Sequence, residues 1–426
     1  MKGPFLEELK WRGLLVESTP GIEEFLAKEE VRGYIGFDPT ADSLHVGSLL
    51  QIMSLARLQR AGHTPIPVIG GGTGMIGDPS GKTAERQLQS LEQIAENAKG
   101  IRAQLERFLD FSVKDNPAIM VNNADWLRNL NYLEFLRDVG KFFSVNMMVN
   151  RDSVRRRLEG QEGISYTEFS YMLLQSYDFL MLYDRHGCRL QMGGTDQWGN
   201  IVSGIDLIRR MRGVDAYGLV SPLVTMASGA KFGKTEAGTI WLDAGRTSPY
   251  KYYQFWLNTE DKDVIPYLKF FTWLGPNDVA DLEKAAAVKP EDREAQRVLA
   301  REVTRITHGD DAVQRAEHVS RMFFSGELAE LSAAELLDVL DDAPSSELRR
   351  GNVDGAGLEL SQMLHSAGLA SSKGDGKRAI EGGGIYLSGR KISDRDYKVT
   401  LADSIEGKLF LLRKGKKQYH VVRILS

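Results

Sequence analysis

Two short segments about 190 residues apart carry the side chains best suited to hold a polyphosphate: His45-Val46-Gly47-Ser48 and Lys231-Phe232-Gly233-Lys234-Thr235. The first follows Tyr34-Ile35-Gly36-Phe37-Asp38-Pro39-Thr40, where a strand signal runs into a loop and a helix start is predicted near Leu44. A helix N-terminus presents free N–H groups and positive potential, which suits phosphate. His45 adds a further donor, and Gly47 leaves room for an adenine or ribose to lie on the backbone. In the second segment two lysines three residues apart can clamp a polyphosphate. The small residues Ala227-Ser228-Gly229-Ala230 before them make a loop able to close. Surface lysine pairs are common and a lone histidine is usually structural; the pairing of the two segments gives each its weight.

Between them, Gly70-Gly71-Gly72-Thr73-Gly74-Met75-Ile76-Gly77 holds a formal G-x-G-x-x-G at Gly72, Gly74 and Gly77. Asp78-Pro79 follows at once, and an acid placed against a pyrophosphate is repulsive, so the dinucleotide reading is disfavoured. The glycines instead let the backbone approach a small ligand, with Asp78 meeting a cation such as an α-ammonium group. Gly77-Asp78-Pro79-Ser80-Gly81-Lys82-Thr83 misses the P-loop spacing by one, since glycine would be needed at Ile76. Lys82 and Arg86 are still placed to face phosphates across a cleft. Tyr171, Gln175 and Asp178 fall at i, i+4 and i+7 of a helix that Ser165 and Glu168 open as a capping box. A phenol, an amide and a carboxylate on one face make a poor core stripe. They suit a polar pocket wall, the alternative being a solvated face.

The elements that must position these groups follow from periodicity. The first ~245 residues alternate strand and helix signals, which predicts an α/β domain with a parallel sheet and crossover helices. Strands are predicted at 31–37, 64–69, 117–121, 188–192 and 217–224. Leu91, Ile94, Ala95, Ala98, Ile101, Leu105 and Phe108 repeat at spacings of three and four, an amphipathic helix. Residues 246–330 read as helical, 331–352 as a short helix and linker, and 353–426 as a small α+β domain.

From Gly351 onward 13 Lys and Arg face 8 Asp and Glu, a surplus of five positive charges on a chain whose total is −4. Any nucleic-acid surface is therefore local, and this basic tail is its natural place. Lys373, Lys377, Arg378, Arg390, Lys391, Arg413, Lys414, Lys416 and Lys417 are its candidate phosphate contacts. With 42 % hydrophobic and 26 % charged residues the composition is globular rather than disordered. No run of 18 apolar residues appears, the N-terminus lacks a signal-peptide core, and the single cysteine excludes an internal disulfide. A cytoplasmic protein without a multi-cysteine metal site is expected.

His45-Val46-Gly47-Ser48 and Lys231-Phe232-Gly233-Lys234-Thr235 resemble the HIGH and KMSKS signatures of class I aminoacyl-tRNA synthetases. Tyr34 to His45, Gly77 to Gly81 and Gly193-Gly194-Thr195-Asp196-Gln197-Trp198-Gly199-Asn200 are similar to the bacterial tyrosyl-tRNA synthetase family. The resemblance covers nearly the whole chain. It implies a Rossmann-like catalytic domain (1–245), a helical anticodon-binding domain (246–330) and an RNA-binding tail like one shared with ribosomal proteins. It also implies the roles. Tyr171, Gln175 and Asp78 hold the ammonium of tyrosine, Asp178 and Tyr34 its phenol, and Asn123 and Gln197 wall the pocket. Gly36, Asp38, Gly47, Ser48, Gly194 and Asp196 approach ATP, and Thr40 and His45 its γ-phosphate. Lys82, Arg86, Lys231 and Lys234 gather the leaving pyrophosphate, and Thr235 is counted with them among the catalytic residues. ATP with Mg²⁺, tyrosine, tRNA(Tyr) and a second subunit, through the stretch from Phe142 to Met148, are the implied partners. Ser48 stands where the family usually has a second histidine, and KFGKT departs from KMSKS at three positions while keeping both lysines.

Overall fold

A computed structural model describes residues 5–28, 30–80, 88–160, 163–227, 229, 232–235, 238–325, 328–341, 343–415 and 418–425. The chain divides into two compact units: residues 1–247 with 255–307, and residues 248–254 with 308–426.

The first unit is built on a six-stranded sheet. Its strands are β1 (Glu17–Ser18), β2 (Arg32–Phe37), β3 (Thr64–Ile69), β4 (Val121–Asn122), β5 (Leu190–Gly194) and β6 (Tyr217–Ser221), in the order β1-β6-β5-β2-β3-β4. All neighbours are parallel except β1 with β6. All six residues of β3 are buried, the signature of a strand covered on both faces. β4 is shorter than the predicted 117–121. Pro65 accepts from the Ile119 N–H at 3.0 Å, so its ring nitrogen also faces that side, and neither Pro65 nor Pro67 has an N–H to extend the ladder. A separate two-stranded hairpin, β7 (Lys234–Thr235) with β8 (Gly238–Thr239), follows the sheet in the chain.

Four helices cross the sheet: α1 (Val46–Arg60), α2 (Leu91–Phe108), α3 (Tyr166–His186) and α4 (Trp198–Arg212). α2 buries Ile94, Ala98, Ile101 and Leu105, the predicted stripe. α3 starts where Ser165 accepts from the Glu168 N–H, and it stops at Gly187, whose φ of 61° supplies the left-handed cap. The Glu168 carboxylate meets buried Arg157 at 2.8 Å. Three more helices, α5 (Asp261–Phe271), α6 (Pro276–Val288) and α7 (Glu294–His308), follow with no strand among them.

In the second unit come α8 (Asp310–Ser325), α9 (Ala333–Val339), β9 (Ser345–Arg349), α10 (Leu360–Ser366) and α11 (Lys373–Glu381). Four antiparallel strands join β9 in one sheet: β10 (Ile385–Leu387), β11 (Arg390–Ile392), β12 (Leu409–Lys414) and β13 (Gln418–Leu425), while Leu358–Glu359 and Lys398–Val399 pair separately. The sheet order is β11-β10-β12-β13-β9. One face buries Ile385, Leu387, Phe410, Leu412 and Val422 with residues of α10 and α11. The other buries Leu409, Leu411 and Val421 with Val319 of α8 and Leu336 of α9.

This corrects the expected linker. The short helix expected in the first part of 331–352 is α9, but the part read as linker holds an edge strand, β9, running parallel to β13. The stretch 246–330 is likewise not one body, since 255–307 belong to the first unit and 308–330 to the second.

Candidate active site

The sheet order reverses direction between β2 and β5. Loops leaving the carboxyl ends of two such strands diverge and leave a crevice. A cavity of about 370 Å³ opens there, lined by residues from Tyr34 to Ser48, the glycine loop after β3, α3, and the segment after β5.

The inner end is polar and buried. Asp178, 4 % exposed, accepts from Asn123 Nδ2 at 2.8 Å and from the indole N–H of Trp126 at 2.7 Å. Burial still outweighs these two bonds and pushes its carboxyl up to about 7. The Tyr34 hydroxyl is buried with no hydrogen-bond partner among the described residues. Burial, with Asp178 nearby, holds it well above the ordinary phenol range.

Tyr171 and Thr73 both donate to Asp38, at 3.1 and 2.8 Å. A Cβ on Gly70 would lie 2.2 Å from Asp38 Oδ1, so glycine is required for this approach. The glycine-rich loop thus packs against the chain's own Asp38 and Pro39 rather than cradling a dinucleotide. Asp78 accepts from the Ser80 N–H at 2.9 Å and from Gln197 Nε2 at 2.7 Å, and Gln197 joins Gln175 and Asn200 in one amide network. Burial and neighbouring Asp78 raise the Asp196 carboxyl. Four aspartates therefore line the cavity, and none of its described lining residues is Lys or Arg. That field suits an ammonium.

At the other end His45 is the N-cap of α1, and its Nδ1 accepts from the Gly47 N–H at 2.9 Å. The proton of a neutral ring then sits on Nε2, as a donor. The helix begins at Val46 rather than near Leu44, so His45 stands at the opening of the N–H array. The second signature meets the first directly. The hairpin β7–β8 leads into Ile240, which accepts from Val46 N–H at 3.0 Å, and Leu242 donates to Leu44 at 2.9 Å. Gly233, at φ 76°, lies so close that a Cβ there would meet Val46 Cγ2 at 2.4 Å. Lys234 is exposed.

Tyr34, Gly36, Asp38, Thr40, His45, Gly47, Ser48, Asp78, Asn123, Tyr171, Gln175, Asp178, Gly194, Asp196 and Gln197 all line this one cavity. Lys82, Arg86, Lys231, Lys416 and Lys417, and the side chain of Thr235, lie outside the described residues. Sequence reasoning misses Trp126 and Thr73, because each acts through an aspartate remote in the chain. It misses Gln51 and Gln191 too; both line the cavity and each has a buried carbonyl oxygen without a partner among the described residues.

In the tail, Lys377 meets Asp396 at 2.6 Å, Arg378 meets Asp375 at 3.6 Å, Arg390 meets Asp403, and Lys414 donates to the Leu369 carbonyl at 2.6 Å. Lys373 bonds neutral Gln362 at 2.8 Å. No cluster of three metal-ligating side chains occurs among the described residues, and no described helix is long and apolar enough to cross a membrane.

Residues 26–325 match the family of class I tRNA synthetases (W and Y), and 335–422 match the tyrosine–tRNA ligase SYY-like C-terminal domain. The chain is 55 % identical to a tyrosine–tRNA ligase of Roseiflexus castenholzii, over 99 % of both chains. It is 49 % identical to tyrosine–tRNA ligase 1 of Bacillus cereus, over 98 % of this chain and 99 % of that one. A C-terminally truncated mitochondrial tyrosyl-tRNA synthetase from Aspergillus nidulans superposes with a TM-score of 0.68 at 29 % identity, covering 75 % of this chain and 94 % of that one. With both signatures joined at one cavity and relatives matched end to end, this chain belongs to the tyrosine–tRNA ligase family of class I synthetases.

Proposed function

We propose that the protein activates L-tyrosine with ATP to tyrosyl-adenylate and pyrophosphate, then transfers the tyrosyl group to the terminal adenosine of tRNA(Tyr). One observation carries the substrate choice. A carboxylate, Asp178, and a phenol without a partner among the described residues, Tyr34, are buried in the cavity whose other end is the capped N-terminus of α1. A substrate hydroxyl satisfies both groups. Phenylalanine leaves the Tyr34 hydroxyl unpaired, at a desolvation cost of about 1–3 kcal/mol, and gives Asp178 no donor beyond Asn123 and Trp126. Tyrosyl-tRNA synthetases are themselves the best-known example of selectivity gained in this way.

The ammonium of tyrosine sits among acceptors. Asp78, Gln175 and Tyr171 hold it, with Asp38 fixing Tyr171. The substrate carboxylate is already ionised and attacks the α-phosphorus of ATP without a general base. A C–O–P anhydride forms as the bond to pyrophosphate breaks. Catalysis is positioning and charge stabilisation. Gly47, Ser48 and Asp196 approach the nucleoside, while Thr40 and His45 Nε2–H meet the γ-phosphate. The aspartate-lined cavity needs cations for the departing pyrophosphate, and Lys82, Arg86, Lys231 and Lys234 supply them. Mg²⁺ enters with ATP as part of the substrate. In the second step a ribose hydroxyl of tRNA attacks the acyl carbon and AMP leaves.

The helical segment 246–330 reads the anticodon and the basic tail grips the tRNA. A homodimer forms through the surface around Phe142–Met148, where Tyr132, Leu133, Val145 and Tyr166 are exposed. The enzyme works in the cytoplasm. Pyrophosphate exchange with tyrosine, tryptophan and phenylalanine tests the reading: only tyrosine should drive it, and equal exchange with phenylalanine would refute the pocket assignment.

A further inference from the structure

The register of the tail sheet sets Lys391 of β11 opposite Tyr386 of β10, Tyr386 opposite Arg413 of β12, and Arg413 opposite Tyr419 of β13. Directly opposed residues of antiparallel strands share a face. Cation, phenol, cation and phenol therefore form one row across four strands. Two residues further along the same face, Leu411 and Val421 are buried with residues of α8 and α9, and Tyr419 packs at that margin. Beyond it the cover ends: Lys391 is exposed, and Tyr386 and Arg413 are partly exposed.

The Arg413 guanidinium lies 3.8 Å from the centre of the Tyr386 ring. Among the described residues neither Arg413 nor Lys391 meets a carboxylate, whereas Lys377, Arg378 and Arg390 each do. A guanidinium over a phenol, without a counter-charge, offers a weakly hydrated planar cation with apolar faces. An acidic peptide would use the charge but not the rings. An unpaired nucleobase uses both: its π-face stacks on the phenol or guanidinium, and its flanking phosphate meets a lysine.

We propose that the row Lys391–Tyr386–Arg413–Tyr419 is a stacking platform for an unpaired nucleobase of the bound tRNA, with Lys391 on the adjoining phosphate. This rests on the reading that the tail grips tRNA, and adds to it recognition of a base face rather than of backbone alone.

The test is binding of the full-length chain to a tRNA(Tyr) transcript across a salt series. Arg413→Lys keeps the charge and removes the plane; Tyr386→Leu keeps an apolar body and removes the ring. Each is expected to weaken binding about 10-fold with an unchanged salt slope. Tyr386→Phe, which keeps the ring, is expected to bind like the parent. Unchanged amide hydrogen exchange across β10 to β13 reports an intact tail fold. A combined Lys373→Ala, Lys377→Ala, Arg378→Ala variant on α11 is expected instead to flatten the salt slope. Parental affinity in both Arg413→Lys and Tyr386→Leu overturns the platform, as does an equal loss on a blunt RNA duplex without unpaired bases. In that event the α11 variant separates the two readings: if it still weakens binding, only the platform falls, and if it does not, the tail–tRNA reading falls with it.

Discussion

Asp178 and Tyr34 line the same cavity in opposite hydrogen-bonding states: the carboxylate is held by Asn123 and Trp126, while the buried phenol has no partner among the described residues. Removing the unpaired hydroxyl therefore costs the free protein little. Tyr34→Phe is expected to change unfolding free energy by less than about 1 kcal/mol, yet to lower kcat/KM for tyrosine by about 10-fold. Urea unfolding and pyrophosphate exchange measure the two. A large loss of stability would mean that the hydroxyl already has a partner in the free protein.

Asp178→Asn should behave differently. Both carboxylate oxygens accept from N–H donors, and an asparagine must turn its NH₂ toward one of them. A loss of about 1–3 kcal/mol of stability is expected. Its pH dependence has a definite sign. Burial raises the folded carboxyl from 3.8 to about 7, so the folded chain binds this proton more tightly than the unfolded one. The resulting stability is complete below about pH 4 and is lost as pH rises through about 7. The asparagine variant lacks that titration. Its deficit relative to the parent should therefore shrink between pH 4 and pH 8 in parallel urea titrations; a deficit that grows would contradict the raised carboxyl.

How much of this is legible in the sequence depends on the range of the interaction. Tyr171, Gln175 and Asp178 can be grouped because a helical repeat alone sets them on one face. The stripe of α2 is readable for the same reason. Trp126 and Thr73 carry no such mark, because they matter only through Asp178 and Asp38, 52 and 35 residues away. β9 reads as linker since Ser345-Ser346-Glu347-Leu348-Arg349 follows a Pro/Ser break and has only one large apolar residue. It is a strand because β13 offers it an edge. Local signals put the start of α1 near Leu44, since they cannot show that the His45 ring itself caps the first turn.

Gly233→Ala tests the junction of the two signatures. Alanine there must adopt φ 76° and enter the space of Val46 Cγ2. The strain, about 1–3 kcal/mol, falls on the segment leading to Lys234 rather than on the tyrosine pocket. Adenylate formation should slow while equilibrium tyrosine binding, followed by intrinsic fluorescence, stays at the parental value. Weakened tyrosine binding would show that the hairpin supports the pocket as well.

Lys234→Ala removes charge without strain. Loss of one preorganised group at a developing anion slows a reaction by roughly 100- to 1000-fold. Stopped-flow measurement of adenylate formation should show a loss of that order, again with unchanged tyrosine affinity. Parental rates would remove Lys234 from the pyrophosphate clamp.

Deleting the chain after Arg350 should spare tyrosine-dependent pyrophosphate exchange, because every described residue lining the cavity lies before that point. It should abolish charging of tRNA(Tyr), but for two reasons at once. The cut removes the basic tail, and it also strips β13 from β9 and removes Leu409, Leu411 and Val421 from the cluster they share with Val319 and Leu336. Burying a side chain of this size stabilises by about 1.5–3 kcal/mol, so α8 and α9 should loosen. Hydrogen exchange in 310–339 should accelerate in the truncated chain and stay slow in a full-length Lys373→Ala, Arg378→Ala variant that loses only charge. If charging fails in the truncation and exchange in α8 and α9 stays slow, loss of the RNA contact alone accounts for the defect. Faster exchange there would mean that the tail supports the helices before it as well as the RNA.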